Sequence, residues 1–131
     1  MAGANATNII ELDSNFLVAV LNAGGSQSDM LHTWTGAGAT IQISAIAWSE
    51  YLCGPLEPVM VPFARKLINR VEPFTEEDAE LASTLFNGTG RRSPSHVDCM
   101  IAAHAIRRDA ALATLNVRDF RLFERFDLRL A

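Results

Sequence analysis

Ile41-Gln42-Ile43-Ser44-Ala45-Ile46-Ala47-Trp48-Ser49-Glu50 passes from strand to helix without a linker. Thr40–Ile43 reads as a strand, and Ser44 can cap a helix over Ala45–Leu52, which Gly54-Pro55 ends. Glu50 lies almost two turns beyond Ser44, out of capping range, so it needs another reason to be there. The same grammar recurs on both sides. Ile9–Leu12 is a short apolar strand leading through Asp13-Ser14-Asn15 into a helix over Phe16–Asn22, stopped by Gly24-Gly25. Ser28–Thr35 is a second helical stretch, broken by Gly36 and Gly38. After Pro58 a helix runs to about Asn69, with a short strand near Arg70–Phe74. Thr75-Glu76-Glu77-Asp78 opens a helix to about Phe86, its hydroxyl cap and three acids favoured at the positive end of the dipole.

Asn87–Pro94 reads as the one long loop. Ser95 then caps a helix to about Arg108, with Val97, Ile101 and Ala105 on one face. Ala111–Leu115 is a strand, Arg118–Phe123 a helical turn and Leu128–Leu130 a last strand. Alternating strands and helices, with continuously apolar strands, imply a mainly parallel sheet covered on both faces. The 131 residues fit one domain, 1–131, able to build a real core. No uncharged stretch reaches membrane-span length and no signal peptide is evident, so the expected location is the cytoplasm. Cys53 and Cys99 lack zinc or disulfide spacing and read as small buried hydrophobes. Met30, Trp34 and Trp48 read as core.

Four acids stand where these strands end or helices begin: Asp13, Glu50, Asp98 and Asp119. In parallel sheets ligands bind beyond the carboxyl ends of the strands. Asp13, Glu50 and Asp119 follow strands, and Asp98 opens a helix that can reach the same edge. Clustered carboxylates raise one another's pKa unless a cation intervenes, and Mg²⁺ or Mn²⁺ prefers such oxygen ligands. Divalent ions held there would polarise a phosphodiester and activate water, with no nucleophilic side chain required. Ser14, Asn15, Ser44 and Thr114 are candidates to orient the carboxylates, and Asn116 is a neutral oxygen donor near the same strand end. Asp119 could equally cap the turn that follows it. His32 and His104 read as packed or surface residues, and helical geometry points His96 away from Asp98.

The net charge of −4 hides an asymmetry. Residues 1–90 carry ten acids against three bases, while residues 91–131 carry eight arginines against five acids. Screening confines such fields to about 10 Å, so a local basic segment can meet phosphates despite the total. Arg91, Arg92 and Arg118 are the candidate RNA contacts; others can be solvated or paired with nearby acids.

Leu12-Asp13-Ser14-Asn15, Ser44 through Glu50, Ser95 through Ala103, and Thr114-Leu115-Asn116-Val117-Arg118-Asp119-Phe120, in this order, resemble the PIN-domain ribonucleases and within them the VapC-type toxins. The resemblance spans Asn8 to Leu130. It implies a Rossmann-like three-layer α/β/α sandwich with a central, mainly parallel sheet. It also implies a Mg²⁺- or Mn²⁺-dependent endoribonuclease cutting structured RNA such as tRNA or mRNA, with Asp13, Glu50, Asp98 and Asp119 as catalytic metal ligands. Either Asn116 or Asp119 completes the site in such proteins. A homodimer silenced by a VapB-like antitoxin is the expected assembly. Two other acid-bearing doubly wound classes fit less well: a receiver domain wants a lysine after the fifth strand, and the lone lysine is Lys66. A haloacid-dehalogenase-like phosphatase wants an acid where Asn15 stands. A PIN-like module that binds RNA or protein without cutting is the remaining alternative, and the presence of all four acids counts against it.

Overall fold

The computed structural model describes residues 8–22, 25–54, 57–90 and 95–131. Gly24, Pro55 and the loop residues Arg91, Arg92, Ser93 and Pro94 lie outside them. Strand β1 (Ile9–Leu12) leads into helices α1 (Ser14–Leu21) and α2 (Ser26–Gly36). Strand β2 (Thr40–Ser44) is followed by α3 (Ala45–Cys53) and α4 (Met60–Leu67), and β3 (Arg70–Glu72) by α5 (Glu76–Gly88) and α6 (His96–Arg107). Strand β4 (Ala111–Ala113) then leads through α7 (Val117–Phe120) and a 3₁₀ segment (Arg121–Phe126) to β5 (Arg129–Leu130).

The sheet order is β3-β2-β1-β4-β5 and every pairing is parallel. Leu12 aligns with Ile43 on one side and Ala113 on the other, so β1 is the central strand. Helices cover both faces of the sheet, giving the expected α/β sandwich. The chain winds outward from β1 to β3 and then crosses back to β4. The strand order therefore reverses between β1 and β4, which is where such sheets open a ligand crevice. Leu12, Leu17, Ile43, Leu85, Phe120 and Phe123 are fully buried around that centre. Gly38 sits at φ +89° in the turn before β2, a conformation that glycine adopts without strain.

Element ends differ from the sequence reading for local reasons. Helix α1 starts at Ser14 rather than Phe16, because Asp13 itself is the cap. Helix α4 stops at Leu67 because Asn69 joins the sheet edge: its side chain accepts from the Ile41 amide at 2.7 Å. Strand β3 stops before Pro73, which has no N–H to give a ladder. Helix α5 continues through Asn87 and Gly88, so the expected loop begins later, with Thr89 bonding back to the Leu85 carbonyl at 2.9 Å. Strand β4 is three residues long because Thr114 and Leu115 turn toward β1 and α1 instead. Met30 is exposed, not core, and so is Cys53; Cys99 and Trp48 are buried as expected. No helix among the described residues is long and apolar enough to cross a membrane.

Candidate active site

Asp13 follows β1 at the reversal point and is 4% exposed. Its backbone amide donates to the Ala113 carbonyl at 2.9 Å, tying it to β4. Its carboxylate accepts from the Ser14 amide at 2.8 Å and from Thr114 Oγ1 at 2.8 Å. Thr114 Oγ1 also accepts from the Asn116 amide at 3.0 Å, which sets the bend after β4. Asn15 completes that bend by accepting from the Leu115 amide at 3.1 Å. Thr114, just past β4, and Asn15, in the first turn of α1, thus shape the crevice.

Glu50 arrives from the neighbouring βα unit. Ser44 accepts from the Ala47 amide at 3.1 Å and starts α3. Glu50 sits near the end of that helix, exposed, where Ser14 Oγ donates to its Oε1 at 3.2 Å. Asp98 comes from a third unit: Ser95 Oγ accepts from the Asp98 amide at 3.0 Å and caps α6. Asp119 is half-buried on α7. Its amide is used by the turn, donating to the Asn116 carbonyl at 3.0 Å. Asn116 makes no side-chain cap bond there and is exposed.

Electrostatics tie the four acids into one cluster. Burial raises the Asp98 carboxyl, and the charges of Asp13, Glu50 and Asp119 raise it further, to about 6, against a weaker opposing hydrogen bond with Ser95. Burial raises Asp13 as well; the bonds from Thr114 and Ser14 pull it back, and Glu11 adds to the rise. Glu50 is raised by partial burial and by Asp13, with Ser14 opposing. Each of the three is shifted toward its protonated form, the signature of carboxylates facing one another with too little positive charge nearby. Among the described residues no three His, Cys, Asp or Glu side chains already close around one point at ligand spacing. The donor set, all hard oxygen, suits a divalent cation of the Mg²⁺ type.

The arginine-rich end is only partly free for other work. Arg107 and Arg108 both bond the buried Asp78, at 2.9 and 2.8 Å. Arg125 donates to the Gly88 carbonyl and Arg129 to Asp109. Arg118, beside the site on α7, is exposed, while Arg91 and Arg92 lie outside the described residues. One group escaped the sequence reading: Glu11, fully buried in β1, bonded to His104 and Gln42. The signal was available, since an acid inside a continuously apolar parallel strand must find a partner.

A family model, the PIN domain, matches residues 10–127. Among solved structures, the VapBC2 complex of Rickettsia felis bound to a promoter DNA fragment contains a similar chain. The two are 22% identical, with a TM-score of 0.77 over 94% of this chain and 97% of that one. A chain of VapBC-1 from nontypeable Haemophilus influenzae is 18% identical, with a TM-score of 0.72 over 94% and 96%. The Mycobacterium tuberculosis VapC described as a Sarcin-Ricin loop cleaving toxin is 22% identical, with a TM-score of 0.55 over 77% and 84%. Among curated protein sequences, none matches the chain.

Proposed function

The chain belongs to the PIN-domain family, and on that footing we propose that it is a divalent-metal-dependent endoribonuclease, the toxin of a VapBC-type pair. The observation that carries the reading is the Asp98 carboxyl, raised to about 6 by burial and by Asp13, Glu50 and Asp119 together. Buried carboxylates without compensating charge cost stability, and a catalytic metal site is a standard use for that cost. Asp13, Glu50, Asp98 and Asp119 would hold Mg²⁺ or Mn²⁺. When bound, such an ion polarises a phosphodiester and makes water a nucleophile near neutral pH.

The chain's own residues prepare that chemistry. Thr114 and the Ser14 amide hold Asp13 in one rotamer, and Ser14 Oγ aims Glu50 toward it. Ser95 fixes the start of α6 and with it Asp98. Arg118 stands on the rim for a phosphate, with Arg91 and Arg92 as further candidates. The substrate is a structured RNA, and the protein acts in the cytoplasm as one unit over residues 1–131, as a homodimer. The partner is a VapB-like antitoxin that places a basic group among the acids. A cleft of about 360 Å³ lined by Val20, Leu21, Leu31, Phe63 and Leu67, with Lys66 at its edge, supports such a partner. Helix α1 runs from the cleft to Asp13, about 12 Å for its eight residues, so one short segment can span both.

The test is RNA cleavage by the purified chain with Mg²⁺, with excess chelator, and with Mg²⁺ restored. Cleavage that vanishes with chelator and returns with Mg²⁺ supports the reading. Cleavage indifferent to chelator, or none under any condition, refutes it. Inducible expression of the chain alone should arrest growth.

A further inference from the structure

Glu11 precedes Asp13 by two residues, and strand side chains alternate, so both project from the same face of β1. Its carboxylate is fully buried and grips two other segments. Gln42 Nε2, on β2, donates to Glu11 Oε1 at 2.8 Å. His104 Nδ1, on α6, lies 2.8 and 2.9 Å from the two carboxylate oxygens. His104 Nε2 donates to the Pro73 carbonyl at 3.0 Å, and the Arg108 guanidinium donates to that same carbonyl at 3.2 Å. A carbonyl only accepts, so His104 Nε2 carries the hydrogen of that bond.

The three segments joined at Glu11 are those that deliver the site acids. Strand β1 leads directly into Asp13, β2 runs through Ser44 into the helix of Glu50, and α6 begins near Asp98. Along α6, Asp98 and His104 are about 9 Å apart, and along β1, Glu11 and Asp13 about 7 Å. A contact fixed at that distance below the crevice sets how β1 and α6 stand to each other within it. We infer that Glu11, with His104 and Gln42, is a positioning group that fixes the separation of Asp13, Glu50 and Asp98. This rests on reading those acids as the working site.

Stability alone does not explain the arrangement. A buried acid–imidazole cluster, like a buried ion pair, can be matched or bettered by apolar residues of the same volume. Gln42 Oε1 is the one buried side-chain polar atom without a partner among the described residues, and turning the amide over would set that oxygen against the Glu11 carboxylate. A cluster that leaves an acceptor unsatisfied does more for geometry than for folding. Active groups must be held to within about 0.5 Å, which directional bonds do better than apolar contact.

The experiment uses the full chain and Mn²⁺ alone as probe, with two readouts: Mn²⁺ affinity, and hydrogen exchange of the Asp13 and Asp98 amides without metal. The variant Glu11→Met/Gln42→Met/His104→Leu fills the space with apolar atoms. It should stay folded, bind Mn²⁺ at least tenfold more weakly, and exchange those two amides at least tenfold faster, with the Leu85 amide unchanged. Glu11→Gln can keep one bond to each partner, its Nε2 donating to Nδ1 of a neutral His104 and its Oε1 accepting from Gln42 Nε2, and should remain within threefold of wild type on each readout. A folded triple variant matching wild type on both readouts overturns the inference. So does a Glu11→Gln loss equal to that of the triple variant, since that would place the effect in charge. Should the triple variant not fold, His104→Gln decides: it keeps a bond to Glu11 but loses Pro73, and wild-type values on both readouts would again refute the role. If Mn²⁺ binds wild type and Asp13→Asn alike, the metal reading fails, and the exchange rates still decide positioning.

Discussion

Asp78 and Asp98 occupy the same local position, the third residue of a helix whose cap is a hydroxyl. Thr75-Glu76-Glu77-Asp78 opens α5, and Ser95-His96-Val97-Asp98 opens α6. In both, the cap oxygen accepts from the aspartate amide, at 3.2 Å from Asp78 and 3.0 Å from Asp98. Their surroundings drive them in opposite directions. Burial would raise Asp78, but bonds from Arg108, the Thr75 amide and Arg107 outweigh it and hold the carboxyl well below the usual range. Asp98 meets three acids and rises to about 6. The shared cap starts a helix; the neighbours decide whether the acid is a rivet or a reactive group.

The largest expected consequence concerns cleavage. Asp98→Asn keeps shape and cap but removes charge, and should lower Mg²⁺-dependent RNA cleavage by about 100-fold or more, the scale for losing one transition-state stabiliser. Asp78→Asn should leave cleavage per folded molecule within about threefold, because the Asp78 cluster touches none of the four acids. Single-turnover assays on both variants would break the comparison if the two losses proved alike.

Stability should rank the pair the other way. Asp78→Ala strips Arg107 and Arg108 of their buried partner and should cost about 2 kcal/mol, near the range for charged hydrogen bonds, because both guanidinium groups keep some access to water. That is a fall of about 8 °C in Tm. Asp98→Asn should instead stabilise the metal-free protein at pH 7 by about 1 kcal/mol, a figure discounted because the group is partly exposed. Thermal denaturation with chelator present reads both. A destabilised Asp98→Asn would mean that its charge is already compensated.

The pH dependence sharpens the same contrast. The folded Asp78 value lies below the ordinary 3.8, so its contribution is complete above about pH 4 and is lost as pH falls further. Asp98 works in reverse. Between 3.8 and about 6 the folded protein keeps a proton that the unfolded chain has released, so metal-free stability drops as pH rises through that window. Denaturation from pH 3 to 7 should show a shallower decline above pH 4 in Asp98→Asn and a weaker acid loss in Asp78→Asn. Mn²⁺ at pH 7 should restore what the wild type loses, by mass action on the folded state.

What the sequence could show divides along the same line. Ser44, Thr75 and Ser95 are local signals, readable because a cap needs only its own helix, and all three cap as expected. The parallel sheet was legible for a similar reason: short strand-like runs alternate with helical stretches along the chain, and that order alone implies βαβ units. Partnerships across the chain were not legible. Nothing near Asp78 announces residues 29 and 30 positions away, and Glu11 meets His104 at a separation of 93. Cys53 and Met30 failed in the same way, since type and helical period do not reveal which helix faces are left uncovered. The four acids stood out because strand ends in a parallel sheet converge by topology, and that rule needs no pair information.

Asp119 carries the smallest expected effect and tests where the acidic side of the comparison ends. It is the last and weakest of the three charges raising Asp98, it is half-buried on the four-residue α7, and the backbone there is already held by Asn116. Asn116, exposed and with its side chain unused as a cap, stands ready at the same strand end. If these two share the last position, Asp119→Asn should reduce cleavage by only about tenfold, roughly half in free energy of what Asp98→Asn removes. Asn116→Ala alone should cost less, and the two together more than the sum of their free energies, because each stands in for the other. A double-mutant cycle on the cleavage rate measures that coupling. Strict additivity would separate the two residues, and a loss for Asp119→Asn as large as for Asp98→Asn would make Asp119 a full member of the cluster.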